Sequence, residues 1–233
     1  MPRPEITLLS SMATKPLLAA LATAHAQCGG AAVRLESVGG VEAAKRVQAG
    51  EVFDVIVLAD DALAALAAQG LVRAPRAMAD SRVAIAVREG AARPDVASEQ
   101  ALRASLLAAR SIGYSTGPSG RALLQIFERW GVADALAPRL VQARPGVPVG
   151  QLVAAGEAEI GFQQFSELQG LPGITLLGGL PPGLEIVTTF AGAVGARSSQ
   201  PEAAQALLDF LTHAGTAALK RAHGMDAPTP QKD

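Results

Sequence analysis

The chain has little of several residue types, and each shortage excludes a class of function. A single cysteine, Cys28, among 233 residues excludes an internal disulfide and a metal cluster held by cysteines. Aromatic residues make up only 3%, too few for a surface that stacks nucleic-acid bases, and the net charge of -1 attracts neither nucleic acid nor an anionic membrane. No apolar run approaches the roughly 20 residues of a membrane span. We therefore expect no nucleic-acid partner and no insertion into a membrane.

Two further absences concern the thiol and the start of the chain. No basic residue obviously activates Cys28, so the pattern favours a buried structural thiol over a nucleophile. The first residues, MPRPEITLLSS, lack the basic and apolar regions of an export signal, which predicts a cytoplasmic protein as the chain is written. A chain whose signal had been removed would look the same and would be periplasmic.

Short apolar runs alternate with segments of helical periodicity along the whole chain. Hydrophobic residues make up 49% of the sequence and charged ones 18%, which favours a folded protein. The pattern predicts strands at 5–10, 31–37, 53–59, 82–88, 111–114, 140–143, 159–165, 174–178 and 184–196. It predicts helices at 15–28, 41–50, 60–69, 98–109, 119–130, 149–155, 201–212 and 215–222. Strands without a polar face, alternating with helices, are typical of α/β proteins with mostly parallel sheets.

The sequence contains no internal repeat and no low-complexity linker. Two βα blocks without a tether predict two lobes joined by strands that cross near 80–88 and 186–195. Lobe 1 is expected to comprise 1–82 and 192–233, and lobe 2 to comprise 83–191, with a ligand cleft between them. Each lobe is expected to be a mostly parallel sheet flanked by helices.

Turns that follow strands are the expected places for ligands in open α/β sheets. Here they are 10–15, 37–40, 115–121 and 163–166. The segment GYSTGPSGR combines glycines, serine and threonine hydroxyls and an arginine where a helix begins. A helix N-terminus of this kind either binds an anion or is an ordinary helix start. It is not a nucleotide-binding loop, because the lysine and the spacing of that motif are absent.

Several segments resemble those of the type II periplasmic binding proteins, both in their amino-acid sequence and in their order along the chain. The residues that carry this resemblance are RVQAGEVFDVIVLAD, SSMATKPLLAAL, GPSGRALLQIFERWGVADALAPRL and GEAEIGFQQFSEL. They match the molybdate-binding branch over roughly residues 5–222, and that branch also includes aconitate isomerase. The resemblance implies two α/β lobes that close on a small oxyanion held by serine hydroxyls and backbone N–H groups.

The resemblance also suggests which residues hold the ligand, and where this chain departs from the pattern. Ser11 resembles the family's first ligand serine, whereas its second serine falls on Gly39 or Gly40, with Ser37 close but out of register. The stretch 118–120 resembles the one whose backbone meets the anion. Gln163 stands where the family has an apolar residue.

These departures favour an organic carboxylate over molybdate. A glycine in place of serine leaves room for a larger ligand. Arg121, Gln163 and Gln164 add long side chains with planar donor groups. Arginine in particular pairs with carboxylates through two hydrogen bonds. The candidate ligand-binding residues are Ser10, Ser11, Thr14, Lys15, Gly39, Gly40, Ser115, Thr116, Gly117, Ser119, Gly120, Arg121, Gln163 and Gln164. Each also has an ordinary structural interpretation: the serines as helix caps, the glycines as turn residues, and Lys15 and Arg121 as solvated cations.

Two functions stay open at this point. The first is a binding protein that captures a small anion; if exported, its expected partner is an ABC transporter permease. The second is a cytoplasmic isomerase of a di- or tricarboxylate, which needs an acid or base such as Glu167, Asp60 or Lys15. Nothing in the sequence calls for a metal or an organic cofactor, since the three histidines lack the spacing of metal ligands. We expect a monomer.

Overall fold

Strands and helices alternate along the computed structural model, which describes residues 5–144 and 146–229. The elements in chain order are β1 (Glu5–Ser11), α1 (Lys15–Gln27), β2 (Ala32–Val38), α2 (Gly40–Gln48), β3 (Val55–Ala59), α3 (Asp60–Ala68), β4 (Arg76–Arg88), α4 (Glu99–Ala108), β5 (Ile112–Tyr114), α5 (Pro118–Arg129), α6 (Ala133–Leu136), β6 (Leu140–Gln142), α7 (Val149–Ala155), β7 (Ile160–Gln164), α8 (Phe165–Leu168), β8 (Ile174–Gly179), β9 (Val187–Val194), α9 (Pro201–Thr212) and α10 (Ala217–Ala222). Short 3-10 turns follow β1, α6 and α9.

The chain folds as two compact units. Unit 1 contains the residues up to Ser81 and those from Thr188 onward, and unit 2 is Arg82–Val187. The chain passes from one unit to the other within β4 and again within β9. Unit 1 is therefore built from two separate pieces of chain, with unit 2 inserted between them.

The sheet of unit 1 has the strand order β2-β1-β3-β9. β1 is parallel to both β2 and β3, and β9 runs antiparallel to β3. Because side chains alternate along a strand, Val55 and Val57 pack with α1 and α9 on one face, while Ile56 and Leu58 pack with α2 and α3 on the other. Apolar residues on both faces explain the continuous hydrophobic run of β3.

Unit 2 has its own sheet, in which β7, β5 and β6 are parallel neighbours. β4 runs antiparallel to β7 and to β8. Leu123 and Phe127 of α5 pack with Leu102 and Leu106 of α4 in the core of this unit. The predicted fold class, α/β with helices flanking mostly parallel sheets, is confirmed.

β4 begins six residues before the predicted start at residue 82. The segment RAMADS reads as polar, but Met78, Ala79, Asp80 and Ser81 are all buried. The Asp80 carboxylate accepts hydrogen bonds from the Thr189 hydroxyl (2.7 Å) and from the backbone N–H of Thr229 (2.9 Å). Buried hydrogen-bonded polar groups thus occupy strand positions that a hydrophobicity pattern cannot recognise.

A second buried carboxylate connects distant parts of unit 1. Asp54 accepts hydrogen bonds from the Thr7 backbone N–H (2.9 Å), the Thr7 hydroxyl (2.8 Å) and the Ser198 hydroxyl (2.6 Å). Burial opposes ionisation of this group, but the hydrogen bonds from Ser198 and Thr7 outweigh it and hold the pKa of Asp54 below its ordinary value. Asp54 therefore holds the piece of chain after β9 against β1.

The prediction of a buried thiol at Cys28 is wrong, because this residue is exposed just after α1. The amphipathic pattern of α1 ends one residue earlier, so the thiol lies outside its apolar face. Of the helices within the described residues, every one is too short or too polar to cross a bilayer.

Candidate functional site

The carboxyl edge of the unit 1 sheet brings together the ends of β1 and β2. In the parallel register Ser10 lies beside Ser37 and Ser11 beside Val38. The Ser10 and Ser37 hydroxyl oxygens are 2.8 Å apart, and the buried Ser10 hydroxyl also donates to the Ser11 carbonyl at 3.2 Å. The family resemblance placed Ser37 out of register with the second ligand serine. In the structure its hydroxyl nevertheless lies in hydrogen-bond contact with that of Ser10.

The Ser11 hydroxyl differs from its neighbours. Its oxygen is buried and has no hydrogen-bond partner among the described residues. Ser11 precedes the 3-10 turn Met12–Thr14, yet its side chain makes no capping hydrogen bond there. Ser11 therefore does not cap this turn, and its buried hydroxyl is unpartnered within the described residues.

The N-terminus of α2 lies next to Ser11. A Cβ atom on Gly40 would be 3.6 Å from the Cβ of Ser11, and Gly39 is the N-cap residue. The first N–H groups of a helix have no partner within the helix, and the helix dipole favours an anion there. The unpartnered hydroxyl and the helix N-terminus together form a candidate anion site.

The two glycines are not required by the backbone. Gly39 has φ -56° and ψ 138°, which any residue adopts, and Gly40 is the first residue of a helix. A Cβ atom on Gly39 would meet nothing within 4 Å. The chain therefore leaves open space at the N-terminus of α2 that a side chain would otherwise fill.

Thr14 and Lys15 lie in the turn between β1 and α1 but differ in exposure. Thr14 is fully buried and its hydroxyl donates to the Ser11 carbonyl at 3.0 Å, so it fixes this turn. Lys15 is exposed at the start of α1. Asp60, the other charged residue considered at this edge, is the partly buried first residue of α3.

A second hydroxyl pair occupies the corresponding edge of the unit 2 sheet. Ser115 follows β5 directly, and its hydroxyl is 3.0 Å from that of the buried Ser119 in the first turn of α5. A Cβ atom on Gly120 would lie 1.9 Å from the Ser115 carbonyl oxygen, so only glycine fits at that position. Gly117 is the N-cap residue and Thr116 is exposed. The GYSTGPSGR segment thus forms a closely packed helix start with two hydroxyls at its N-terminus.

Arg121 lies one turn into α5 and its side chain is exposed. Its backbone N–H donates to the Gly117 carbonyl at 3.2 Å. The binding of a carboxylate by its guanidinium stays a prediction, and an exposed arginine is worth less in such a pair than a buried one.

The two glutamines that end β7 are both buried. The side-chain oxygen of Gln163 accepts the backbone N–H of Val149 at 2.7 Å, at the start of α7. The Gln163 amide also forms a hydrogen bond with the Glu167 carboxyl. Its side chain is therefore held within unit 2, a role that sequence reasoning did not foresee because Val149 lies 14 positions away.

Glu167, in the short helix α8, is a partly buried carboxyl group. Burial raises the pKa of Glu167 to about 7, and the hydrogen bond from Gln163 opposes this rise. Such a group exchanges protons near neutral pH. In the described ranges no three His, Cys, Asp or Glu residues converge as metal ligands.

Comparison with known proteins identifies relatives of two kinds. A family model described as "Bacterial extracellular solute-binding protein" matches residues 6–226. Aconitate isomerase from a Pseudomonas species is 39% identical over 171 residues, which make up 71% of this chain and 64% of the relative. The chain thus spans somewhat less than two thirds of that relative's length.

Solved structures of low sequence identity share the fold. The periplasmic molybdate-binding protein of Azotobacter vinelandii superposes with a TM-score of 0.80 at 20% identity, covering 96% of this chain and 100% of that one. The sulfate-binding protein SubI of Mycobacterium tuberculosis H37Rv gives a TM-score of 0.75 at 19% identity, covering 95% and 86%. At these identities the likeness concerns the fold alone.

Proposed function

The chain belongs to the bacterial extracellular solute-binding protein family, and we propose that it binds a small organic carboxylate. The resemblance to the molybdate-binding branch is confirmed by that family match and by the shared fold. The observation that carries the proposal is the Ser11 hydroxyl, which is buried beside the N-terminus of α2 without a partner in the described chain.

The energetics of Ser11 support a ligand oxygen as the missing partner. A buried hydroxyl without a hydrogen bond costs about 1–3 kcal/mol of stability. A ligand oxygen accepts from this hydroxyl and from the first N–H groups of α2, where the helix dipole adds a favourable interaction with negative charge. Ligand binding would therefore recover the free energy that the unpaired Ser11 hydroxyl costs.

Two observations favour a carboxylate over a tetrahedral oxyanion. Gly39 contributes no hydroxyl and leaves open space at the N-terminus of α2, whereas a compact oxyanion needs short donors on all sides. The relative of 39% identity carries a name that refers to aconitate, an organic tricarboxylate.

Thermal-shift and calorimetric titration with molybdate, tungstate, sulfate, citrate and the two aconitates test this proposal. We expect stabilisation by at least one carboxylate, and a loss of about 10-fold or more in affinity for Ser11→Ala, since a hydrogen bond to a charged group contributes about 1.5–3 kcal/mol. The exposed Ser199 provides the matched control, and Ser199→Ala should bind normally. Stabilisation by molybdate or sulfate alone would overturn the ligand class.

A second candidate function is the isomerisation of an unsaturated di- or tricarboxylate. It is favoured by the 39% identity to aconitate isomerase. NMR of each stabilising ligand after incubation with the protein distinguishes the two functions. A new isomer that forms only with the protein establishes an enzyme, whereas an unchanged ligand leaves a binding protein.

A further inference from the structure

Glu167 and Gln163 form a fixed pair at the end of β7. The Gln163 side chain is buried, and its amide oxygen is occupied by the Val149 N–H at 2.7 Å. The amide N–H of Gln163 donates to the Glu167 carboxyl, since this hydrogen bond lowers the pKa of Glu167. The orientation of Gln163 is thus set by the main chain of α7, and Gln163 in turn sets the position of the carboxyl group.

The pair lies at the edge of the sheet where ligands of α/β proteins bind. β5 and β7 are parallel, with Tyr114 beside Phe162, so the residues that follow both strands lie at one edge. Ser115 and Ser119 follow β5, and Glu167 follows β7. A carboxyl group that is only partly buried therefore lies at the same edge of the sheet as the hydroxyl pair of unit 2.

The surroundings of Glu167 contain no competing charge on the elements packed closest to it. α7, β7 and β8 contain no charged residue, and β4 contributes Ala84 and Ala86 beside Leu168. Within the described part of the chain no opposite charge on these elements pairs with Glu167, so an ion pair does not explain its position there. Burying it there without a partner of opposite charge disfavours its ionised form.

We propose that Glu167 carries a proton between two carbon atoms of a bound unsaturated carboxylate, and that Gln163 is the positioning residue for it. This inference rests on the isomerase candidate under the proposed function. It assigns Glu167 the acid and base role for which sequence analysis offered three alternatives.

The proton transfer is balanced without any further reactant. The ionised Glu167 carboxylate takes a proton from a CH₂ group that lies between a carboxylate and a C=C bond. The electron pair of that C–H bond forms a new C=C bond, and the old C=C pair moves to the far carbon, which is stabilised by its own carboxylate. Glu167, now protonated, returns the proton to that carbon, so the double bond has moved and the enzyme is unchanged.

The acidity of Glu167 suits this role. Burial raises the pKa of the group to about 7, while Gln163 limits the rise. An acid–base catalyst works best when its pKa lies near the working pH, because both of its forms are then populated.

The test measures binding and proton exchange separately, with cis- and trans-aconitate as probes in D₂O. We expect the wild-type protein to interconvert the two, with deuterium at carbon only to the extent that the proton on Glu167 exchanges with solvent before it is returned. Glu167→Gln keeps the shape and should bind within a few-fold of wild type, but turnover should fall by about 100-fold or more. The exposed Glu157 is the matched control, and Glu157→Gln should retain full activity.

The remaining outcomes separate this inference from the proposed function. Turnover by Glu167→Gln, or binding by wild type without interconversion of the two aconitates, overturns the inference and leaves carboxylate binding intact. Absence of binding to every carboxylate overturns both.

Gln163→Met should move the pH–activity profile to higher pH, because the lost hydrogen bond had lowered the pKa of Glu167. Lower activity with an unmoved profile would mean that Gln163 is merely structural.

Discussion

The hydroxyl groups of Ser10 and Ser37 lie 2.8 Å apart across the ends of two parallel strands. This contact holds Ser10 inside the protein, whereas the adjacent Ser11 points to the other face of the strand, next to α2. Neighbouring serines therefore differ in their contacts: the Ser10 hydroxyl is hydrogen-bonded within the protein, and the Ser11 hydroxyl has no partner among the described residues.

Alanine substitutions should reveal this difference. Ser11→Ala removes an unpaired buried hydroxyl, so the empty protein should become as stable as wild type or more stable, by up to about 1 kcal/mol. Ser10→Ala loses the contacts with Ser37 and with the Ser11 carbonyl and should lose about 1 kcal/mol. Urea unfolding without ligand measures both, and a clear loss of stability in Ser11→Ala would contradict the assignment.

Gly39→Ser should change ligand preference without damage to the fold. The backbone angles suit any residue and the new Cβ meets nothing within 4 Å, so stability should rise slightly, by about 0.4–1 kcal/mol, through loss of glycine flexibility. The new hydroxyl fills the open space, so carboxylate affinity should fall relative to that for molybdate. Parallel titrations with both ligands measure the ratio, and Gly70→Ser is unsuitable as a control because φ there is +71°.

Arg121→Ala should affect the rate of association more than the rate of dissociation. The side chain is exposed, so its charge attracts an anion through solvent and is screened by salt. Stopped-flow binding at low and high ionic strength should show slower association for the variant at low salt only. Arg129→Ala, at the other end of α5, is the matched control. A large increase in dissociation rate would instead indicate direct pairing with the ligand.

Ser198→Ala should make the stability of unit 1 less dependent on pH in the acid range. The lowered pKa of Asp54 means that this group stabilises the fold above its unfolded pKa and that the contribution is lost as pH falls through its folded pKa. Without the Ser198 hydrogen bond the folded pKa of Asp54 moves up toward its unfolded value, so the variant has less of this contribution to lose as pH falls. We expect a deficit of about 1–2 kcal/mol at neutral pH that shrinks in acid. Melting temperatures of this variant and of Ser199→Ala across the acid range provide the measurement.

Glu167→Gln should remove a loss of stability that wild type undergoes as pH rises, because the pKa of Glu167 is raised whereas that of Asp54 is lowered. Because the pKa of Glu167 is raised to about 7, the folded state binds more protons than the unfolded one between the ordinary glutamate pKa and 7. Wild-type stability should therefore fall as pH rises through that window, at a maximum by about 3 kcal/mol. The variant should equal wild type near the acid end and exceed it above neutral pH in urea unfolding. A constant difference at all pH values would contradict the assigned pKa.

The alternation of strands and helices could be predicted from the sequence because buried strands leave continuous apolar runs. Val55 to Ala59 is such a run, and its neighbours on both faces come from helices that follow the expected periodicity. The first part of β4 could not be predicted, since Asp80 is a strand residue only because Thr189 and Thr229 bond to it. Its partners lie more than a hundred positions away.

The candidate site was predictable only in outline. Turns after strands are visible in the sequence, which placed Ser11 and Ser115 at the correct ends of β1 and β5. The pairing of Ser10 with Ser37 depends on the register of two strands, and a shift by one residue would have separated them. The contact between Gln163 and Val149 likewise requires the position of α7 against β7, which periodicity does not give.

The division of unit 1 into two pieces of chain has a consequence for protein synthesis. β9, which completes the sheet of unit 1, leaves the ribosome only after the whole of unit 2 has been made. Unit 2 is continuous in sequence and can therefore fold first. Until β9 is made, the edge of β3 that pairs with β9 has no neighbouring strand. Nascent chains that stop before β9 should be the species that chaperones bind and proteases remove.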